Sequence, residues 1–226
     1  MSRPRAVLFD VDGTLISTGG AGARSWRHAF DVLYGVPADI GKFTDAGMTD
    51  PVVAKLTFTS AVGHEPSPTE LATVMAAYLD RLPYEVEHSD AYRVLAGAED
   101  LLPRLGQREG VLLGITSGAV EAAAHIKLSR AGFNRYFPFG GYGSDSPDRV
   151  ELTQRAIERG GRLIGEEIDP ADVFVVGDTP KDVEAAHGAG CVAVATATGH
   201  YSREELEATG AEHVLDTLRG PFPGLD

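Results

Sequence analysis

The sequence contains a single cysteine, Cys191, so an internal disulfide is excluded. That scarcity is typical of proteins in a reducing compartment, and we expect a cytoplasmic location. Cys191 opens the apolar run Cys191–Ala195, which indicates a buried core thiol rather than a nucleophile. No apolar run approaches the roughly 18 residues of a membrane span, and the N-terminus lacks the regions of a signal peptide, so we expect no membrane partner and no export.

Positive charge is also scarce, with 20 Lys and Arg against 33 Asp and Glu and a formal net charge of −13. A general nucleic-acid binder needs a basic face, so the composition disfavours that class of function and we expect no nucleic-acid partner. An anionic small molecule is not excluded, because a metal ion and a few local cations can reverse the sign inside one pocket.

Several catalytic signatures are absent. Neither the Gly-x-Ser-x-Gly of an α/β-hydrolase nor the Gly-x4-Gly-Lys-[Ser/Thr] of a P-loop NTPase occurs. The seven histidines show no His-Glu-x-x-His or other metal spacing, so we expect them in the core or on the surface. The Gly20-Ala21-Gly22 stretch is no dinucleotide fingerprint, because Ser25 occupies the third glycine position.

Much of the sequence alternates between strand patterns and helix patterns. Short apolar segments predict strands at 6–10, 111–115, 136–139, 173–176 and 191–195, with a sixth, edge strand at 213–215. Helical patterns follow at about 98–105, 119–130, 148–159 and 181–189. Strands separated by helices indicate a parallel sheet with helices on both faces.

Residues 18–88 form a block of helical patterns with no convincing strand. Apolar spacing predicts helices that begin near Ala23, at Asp50 and after Ser67. Ser67 and Glu70 have the spacing of a capping box, which favours a helix start at that point.

This block interrupts the alternation after the first strand, so we expect it to be an inserted cap. Residues 17–23 are small and predict a hinge-like linker into the block. The expected fold is α/β: a three-layer, Rossmann-like parallel-sheet core of residues 1–17 and 89–226, with an all-helical cap at 18–88.

Polar side chains follow three of the predicted strands. The first strand ends in Asp10 and Asp12, the second in Thr116 and Ser117, and the fourth in Asp178. In open α/β sheets ligands lie just beyond the carboxyl ends of the strands, so these groups are expected to share one edge. Acids are costly to bury there unless they are paired or bound to metal, which points to an active site.

Residue type suggests a role for each group. Asp10 can attack an electrophile as a carboxylate, while Asp12 can protonate a leaving oxygen and later activate water. Asp178 offers oxygen to a hard cation, for which Mg²⁺ is the usual case. Thr116 and the backbone amides after it can bind phosphate oxygens.

Gly13 and Gly118 let the backbone approach a tetrahedral anion closely. The candidate substrate-binding residues are Gly13, Thr14, Ser117, Gly118, Thr49 and Lys127. Helix capping is the alternative for Asp178 and for the Thr116-Ser117 pair, and Asp182, four residues after Asp178, could merely favour a helix dipole.

The run Asp10-Val11-Asp12-Gly13-Thr14-Leu15 resembles the first motif of the haloacid dehalogenase-like hydrolase superfamily. Ile115-Thr116 resembles its second motif, the run from Gly177 to Asp182 its fourth, and the helical block its cap. The resemblance implies a phosphoryl-aspartate at Asp10 and acid/base work by Asp12. It also implies Mg²⁺ held by the Asp10 and Asp178 carboxylates and the Asp12 carbonyl, with Asp182 in the metal's surroundings.

The family's third motif is a basic residue, usually lysine, that neutralises nucleophile and phosphate. Arg149 is the natural match in the segment between the third and fourth strands, since arginine can bind phosphate through two hydrogen bonds. Lys127, on the helix after the second strand, is the rival. Because the neighbours of Lys127 are apolar, its plainer interpretation is a lysine that extends along a partly buried helix to solvent. We therefore favour Arg149 as the third-motif residue.

Two further features narrow the class. The dehalogenases themselves lack the second acid of motif one, so Asp12 favours phosphate chemistry over carbon–halogen cleavage. The loop from Asp45 to Asp50 resembles the substrate-facing loop of phosphoglycolate-phosphatase-like members, and Thr49 and Asp50 could face the substrate there. Alternatively, these two residues could simply cap the following helix, a role that requires no substrate.

We therefore expect a Mg²⁺-dependent phosphatase that hydrolyses a small phosphorylated metabolite, in a monomer or a homodimer. A phosphomutase of the β-phosphoglucomutase type and a non-catalytic metabolite-binding protein are the alternatives.

Overall fold

The computed structural model describes residues 4–36, 38, 40–42 and 48–224, and a six-stranded parallel sheet lies at its centre. Its strands are β1 (Ala6–Phe9), β4 (Leu112–Ser117), β5 (Gly140–Tyr142), β6 (Val173–Gly177), β7 (Val192–Thr196) and β8 (His213–Leu215). Two short strands, β2 (Ile16–Ser17) and β3 (Arg93–Val94), form a separate antiparallel ribbon. The strand order β5-β4-β1-β6-β7-β8 confirms the predicted α/β class.

Helices occupy most of the connections between these strands. They are α1 (Ala21–Tyr34), α2 (Asp50–Val62), α3 (Pro68–Glu87), α4 (Ala98–Gly106), α5 (Glu121–Ser129), α6 (Arg149–Ile164), α7 (Pro180–Gly188) and α8 (Arg203–Glu207). Within the described part of the chain, no helix is both long and apolar enough to cross a membrane.

The two faces of β1 pack into two different cores. Val7 and Phe9 belong to a large apolar cluster that includes the buried faces of α4 and α5, whereas Ala6 and Leu8 face a second cluster built with α6 and α7. Successive side chains of a strand point to opposite faces, so an uninterrupted apolar run is what a sheet covered on both sides requires. The three-layer core is therefore confirmed.

Helices α1, α2 and α3 follow β2 and precede β3, so the β2–β3 ribbon carries the chain into and out of this helical block. Trp26 of α1 stacks on Tyr78 of α3, with ring centroids 4.0 Å apart, and both side chains are buried. The predicted capping box at Ser67 and Glu70 is present. The predicted linker at 17–23 is wrong, because Ser17 is paired in β2 and α1 begins at Ala21.

The predicted third strand at 136–139 is also wrong. Residues 133–136 form a 3-10 turn, and the strand is Gly140–Tyr142. Alternating aromatic residues predicted a strand at this point, but Phe137 and Phe139 instead pack into the two different cores from an irregular segment. Glycines are poor strand formers, yet Gly141 is needed, since a Cβ there would lie 1.7 Å from the Leu152 carbonyl oxygen of α6.

The other predicted elements are confirmed, with shifted boundaries. The strands at 6–10, 111–115, 173–176, 191–195 and 213–215 correspond to β1, β4, β6, β7 and β8. The helix predicted at 119–130 begins only at Glu121, and the helix predicted at 148–159 continues to Ile164. Cys191 is buried, as expected, and burial raises the pKa of its thiol to about 12.

Gly141→Ala is expected to lower the free energy of unfolding by about 2 kcal/mol or more, because the new methyl group overpacks the β5–α6 contact. Gly22→Ala in α1 is the matched control: nothing lies within 4 Å of its added Cβ, so it should be neutral or stabilise by up to about 1 kcal/mol. Urea denaturation of both variants measures the difference. Equal midpoints would contradict the close approach at Gly141.

Candidate active site

A cavity of about 380 Å³ lies at the carboxyl edge of the sheet. The sheet register converges there, because Phe9 at the end of β1 pairs with Ile115 of β4 on one side and with Val176 of β6 on the other. The charged residues that line the cavity are Asp10, Asp12, Asp50, Asp178, Asp182, Arg93, Lys127 and Arg149. The predicted convergence of strand-end groups is therefore present in the structure.

Asp10 continues β1 by one residue, and its backbone N–H donates to the Val176 carbonyl at 2.8 Å. Its carboxylate is buried, with 7% of the residue exposed. Burial, followed by the negative charge of Asp182, raises the pKa of Asp10 to about 7. Burial and the charge of Asp10 raise the pKa of Asp178 to about 8. The two carboxylates thus form a site with excess negative charge.

Arg149 is the first residue of α6, so its guanidinium points from the helix start toward these acids. Its Nη2 donates to Asp182 Oδ1 and lies 3.6 Å from Asp10 Oδ1. The guanidinium is nearly buried. Burial lowers the pKa of Arg149, but Asp182 and Asp10 outweigh it and raise that pKa above its ordinary value.

Lys127 reaches the other acid of the first motif. Its Nζ donates to Asp12 Oδ2 at 2.5 Å, and the residue is only 7% exposed. Although burial lowers the pKa of Lys127, the charges of Asp12, Tyr78 and Asp50 raise it well above the ordinary value. The interpretation of Lys127 as a lysine that extends to solvent is wrong, because its ammonium is paired inside the cavity. Each acid of the first motif therefore faces its own buried cation.

Asp178 is held between two glycines and a threonine. Thr14 Oγ1 donates to Asp178 Oδ1 at 3.1 Å. A Cβ added at Gly199 would lie 1.7 Å from Asp178 Oδ2, and one at Gly13 would lie 2.3 Å from it. The N-cap of α7 is Thr179, so the alternative role of Asp178 as a helix cap is wrong.

Asp182 completes the capping box of α7. Its Oδ2 accepts from the Thr179 backbone N–H at 3.0 Å and from Thr179 Oγ1 at 2.6 Å, while its Oδ1 accepts from Arg149. Both carboxylate oxygens are thus engaged by protein groups. This side chain orients Arg149 from beside the acid cluster, and its contacts leave less capacity for direct metal ligation than those of Asp178.

Three predicted threonines lie outside the cavity lining. Thr14 is fully buried beneath Asp178, where it supports that carboxylate. The Thr116 hydroxyl hydrogen-bonds the Thr153 hydroxyl of α6 at 3.1 Å. Thr49 is buried, and its Oγ1 has no hydrogen-bond partner among the described residues. At the end of β4 it is the next residues, Ser117 and Gly118, that line the cavity.

The start of α2 is docked on the loop that follows β4. The Asp50 backbone N–H donates to the Gly118 carbonyl at 2.8 Å, and the Asp50 carboxylate accepts from the Val120 backbone N–H at 3.0 Å. Met48 and Asp50 line the cavity, while residues 45–47 of the predicted substrate-facing loop lie outside the described residues. The helical block therefore contributes to one wall of the cavity.

The residues that follow β7 also line the cavity and were not predicted from the sequence. Thr198 Oγ1 donates to the Gly13 carbonyl at 2.6 Å, and Thr198, Gly199 and His200 line the cavity. The strand-end rule that identified Asp10 and Asp178 also applies to β7, so this signal was available. Arg93 on β3 was missed as well, and no sequence pattern singles it out.

The acids of the cavity suit a hard cation. No group of three or more His, Cys, Asp or Glu side chains that could hold a metal occurs in the described ranges. Mg²⁺ does not require one, because it keeps several waters and commonly uses one or two carboxylates together with substrate phosphate. Asp10 and Asp178 provide such a pair. Burial, together with the charges of neighbouring acids, raises the pKa of both carboxyl groups, and a bound cation would offset this cost.

Comparison with known proteins agrees with this geometry. A family model described as haloacid dehalogenase-like hydrolase matches residues 4–190. A phosphoglycolate phosphatase of Synechococcus elongatus is 29% identical over 216 residues, which cover 94% of this chain and 93% of that protein. One of Rhodospirillum rubrum is 30% identical over 239 residues, with 99% and 94% covered.

The fold is similar to the crystal structure of CbbY from Rhodobacter sphaeroides in complex with phosphate, with a TM-score of 0.77, 23% identity and 99% of each chain covered. The family model spans most of this chain, and the two relatives are matched over nearly their whole length. The chain therefore belongs to the haloacid dehalogenase-like hydrolases, on the branch of the phosphoglycolate phosphatases, and is a phosphoric monoester hydrolase.

Proposed function

We propose that this chain is a Mg²⁺-dependent phosphatase that hydrolyses a small phosphorylated metabolite through a phosphoryl-aspartate at Asp10. The observation that carries the proposal is the pairing inside one cavity: Asp10 lies beside Arg149, and Asp12 is bound to Lys127. A nucleophile and an acid/base group with separate cationic partners suit the two different roles that phosphoester hydrolysis requires.

In the first half-reaction, a carboxylate oxygen of Asp10 attacks phosphorus, and the bond between phosphorus and the ester oxygen breaks. Asp12, in its protonated form, gives its proton to the leaving alkoxide. The guanidinium of Arg149 balances the negative charge of the nucleophile and of the transferring phosphoryl group. The alcohol departs, and the phosphoryl group remains on Asp10.

In the second half-reaction, the Asp12 carboxylate takes a proton from water, whose oxygen attacks phosphorus. The bond between phosphorus and Asp10 breaks, inorganic phosphate leaves, and the proton on Asp12 is ready for the next turnover. The side chain of Asp12 is 43% exposed, so solvent reaches it, and Lys127 holds its carboxylate at the cavity wall. Ser117 and Gly118 line the cavity, where they would face the phosphate oxygens.

The Asp10 and Asp178 carboxylates, with the Asp12 carbonyl, would hold Mg²⁺. When bound, the ion supplies positive charge that stabilises the phosphoryl group and offsets the repulsion between these acids. Thr14 and Gly199 keep Asp178 in place for this role. Asp182 acts from beside the site, through its contact with Arg149.

Removing divalent ions with EDTA is expected to lower phosphatase activity by more than about 100-fold, and Mg²⁺ should restore it. Asp178→Asn should raise the Mg²⁺ concentration for half-maximal activity by at least about tenfold, because one anionic ligand is lost. Circular dichroism of the EDTA-treated protein provides the control for folding. Full activity after exhaustive chelation would contradict the metal assignment.

We further propose that residues 1–17 and 89–226 form the catalytic core and 18–88 a cap domain, with a cytoplasmic location. The docking of Asp50 on the loop after β4 supports a cap that covers the cavity and sets which leaving groups fit. The cap and the core would then divide the work: the core carries the phosphate chemistry, and the cap selects the metabolite.

A screen of phosphorylated metabolites with Mg²⁺, including 2-phosphoglycolate, tests the function through release of inorganic phosphate. We expect release without any sugar bisphosphate. Isomerisation that depends on a bisphosphate activator would instead identify a phosphomutase. Binding without turnover of any ester would identify a metabolite-binding protein.

A further inference from the structure

A basic cavity between α1 and α3 lies apart from the site at the sheet edge. Its volume is about 420 Å³, and it is lined by Arg24, Arg27, His28 and Asp31 of α1 and by Arg81 and Glu85 of α3. These six residues are distinct from the described residues that line the cavity at the sheet edge. Three arginines face two carboxylates, so this α1–α3 cavity keeps an excess of positive charge even when His28 is neutral. The excess contrasts with the net charge of −13 of the whole chain.

Helix periodicity places the α1 residues of this cavity in one stripe. Positions 24, 27, 28 and 31 have the spacing i, i+3, i+4 and i+7, which puts their side chains on one face of the helix. The buried residues of α1 lie on the other side, where Trp26 stacks on Tyr78 of α3. The two helices therefore pack through their apolar faces, and the charged stripe borders that contact from the solvent side.

Glu85 holds two of the arginines in place. Its side chain is only 11% exposed, and its Oε2 accepts from Arg24 Nε at 2.6 Å. Its Oε1 accepts from Arg81 Nε at 2.8 Å and from Arg81 Nη2 at 2.6 Å. The guanidinium carbon of Arg81 also lies 4.2 Å from the centre of the Tyr84 ring. Two guanidinium groups thus share one carboxylate and are fixed before any ligand arrives, which lowers the entropic cost of binding.

The arginines differ in the donors that they have left for a ligand. Arg24 is committed to the protein, because its Nη1 donates to the Gly19 carbonyl at 2.8 Å in addition to the bond with Glu85. Arg81 uses Nε and Nη2 for Glu85, and its Nη1 makes no hydrogen bond to any residue that the structure describes. Arg27 is exposed, and no carboxylate of the described ranges forms an ion pair with it. Donors from both helices therefore remain available, on Arg27 and on Arg81.

These donors suit a phosphate group. Guanidinium groups form charge-assisted hydrogen bonds with phosphate oxygens, and a tetrahedral anion can accept from two arginines that approach from different helices. The volume of the α1–α3 cavity also lies within the usual range for small-molecule sites, about 300–1,000 Å³. An uncharged ligand would leave the excess positive charge of the cavity without a partner.

We propose that the α1–α3 cavity is a second, non-catalytic ligand site that binds a small phosphate-bearing anion. Arg27 and Arg81 contact the phosphate group, while Glu85 and Arg24 are positioning residues that hold Arg81 and the helix pair in place. This site goes beyond the proposed function, because it uses none of the residues assigned to phosphoester hydrolysis.

Calorimetry of the full-length protein in EDTA tests the site, with inorganic pyrophosphate and adenosine diphosphate as the two probes. We expect saturable binding with a Kd below about 1 mM. Arg81→Gln and Arg27→Gln should each weaken that binding by about tenfold or more, since each removes a charge-assisted donor. Arg27→Gln disturbs no ion pair within the described chain, so its effect is separate from any loss of folding. Arg149→Ala should preserve this binding, because Arg149 belongs to the other cavity.

Arg155→Gln is the matched control. It removes the same charge from α6, at a side chain that is 58% exposed, and should change the affinity by less than about threefold. Equal affinity for the two probes would identify a site for the phosphate group alone, and tighter binding of the nucleotide a site that also contacts the rest of the ligand. Binding that disappears in Arg149→Ala, or that neither Arg27→Gln nor Arg81→Gln weakens, would overturn the inference. An equal loss in Arg155→Gln would also overturn it, since the effect would then be one of net charge.

Discussion

Asp10→Asn is expected to lower kcat by at least about 10⁴-fold, because the side-chain amide cannot form the phosphoryl ester that the two half-reactions share. The substitution preserves shape, so the β1–β6 backbone contact at Asp10 and the packing of the cavity should remain. Phosphate release from an ester found in the metabolite screen provides the measurement. Activity within about tenfold of the unmutated protein would exclude Asp10 as the nucleophile.

The pH dependence of the stability of Asp10→Asn provides a folding control, and the direction of the expected change follows from the pKa of Asp10. Burial and Asp182 raise the pKa of Asp10 from 3.8 to about 7, so the folded, metal-free protein holds this proton more tightly than the unfolded chain does. As the pH rises from about 4 to 7, the unfolded state loses the proton first, and the raised pKa makes the folded state progressively less stable. Asparagine does not titrate.

The thermal midpoint of Asp10→Asn relative to the unmutated protein, both in EDTA, should therefore increase across this pH window. A variant that is inactive and at least as stable at pH 7 separates loss of the nucleophile from loss of the fold. A midpoint difference that decreases with pH would contradict the buried, repelled state of the Asp10 carboxylate.

Arg149→Ala is expected to lower kcat by about 10²- to 10³-fold, and Lys127→Ala by about tenfold or less. Arg149 lies 3.6 Å from the Asp10 carboxylate and would balance charge on the phosphoryl group itself. Lys127 contacts Asp12, whose side chain is 43% exposed, so water can take over part of that solvation. Steady-state kinetics of the two variants with one ester provide the comparison.

Arg149→Lys is the matched control for this comparison. It keeps the charge but loses the planar fork, so it should recover part of the rate. Lys127→Arg plays the same role for the other cation. If Lys127→Ala proved more damaging than Arg149→Ala, the third-motif cation would be Lys127, and the assignment of the two cations to the two acids would have to be exchanged.

Local chemistry was enough to predict much of this molecule. The run from Ala6 to Asp10 identified a strand buried on both faces, because an unbroken apolar stretch has no other stable place in an α/β sheet. The same run located the site, since polar groups just after parallel strands meet at one edge. The capping box of Ser67 and Glu70 was also predicted correctly, because a helix cap depends on contacts within a few residues of sequence.

The orientation of the side chains at the site could not be predicted from the sequence. Thr116 lies at the carboxyl end of β4 as predicted, yet its hydroxyl contacts that of Thr153 in α6. Thr14 contacts Asp178, which is 164 positions away in the sequence. Spacing places a residue at a strand end but does not decide which neighbour from another element its side chain contacts. The strand at Gly140–Tyr142 was not predicted for a related reason: Gly141 is required by the close approach of α6, which is a contact between separate elements.

Short-range periodicity and residue type were enough to predict the fold class and the edge of the sheet that carries the candidate site. They were also enough to predict that Asp10, Asp12 and Asp178 lie there. The pairing of cations with acids depends on contacts between separate elements of the folded chain. Lys127 pairs with Asp12 across 115 positions, and Arg149 with Asp182 across 33. The tertiary structure also brought Arg93 to the cavity wall, since charge complementarity inside a cavity exists only after the chain has folded.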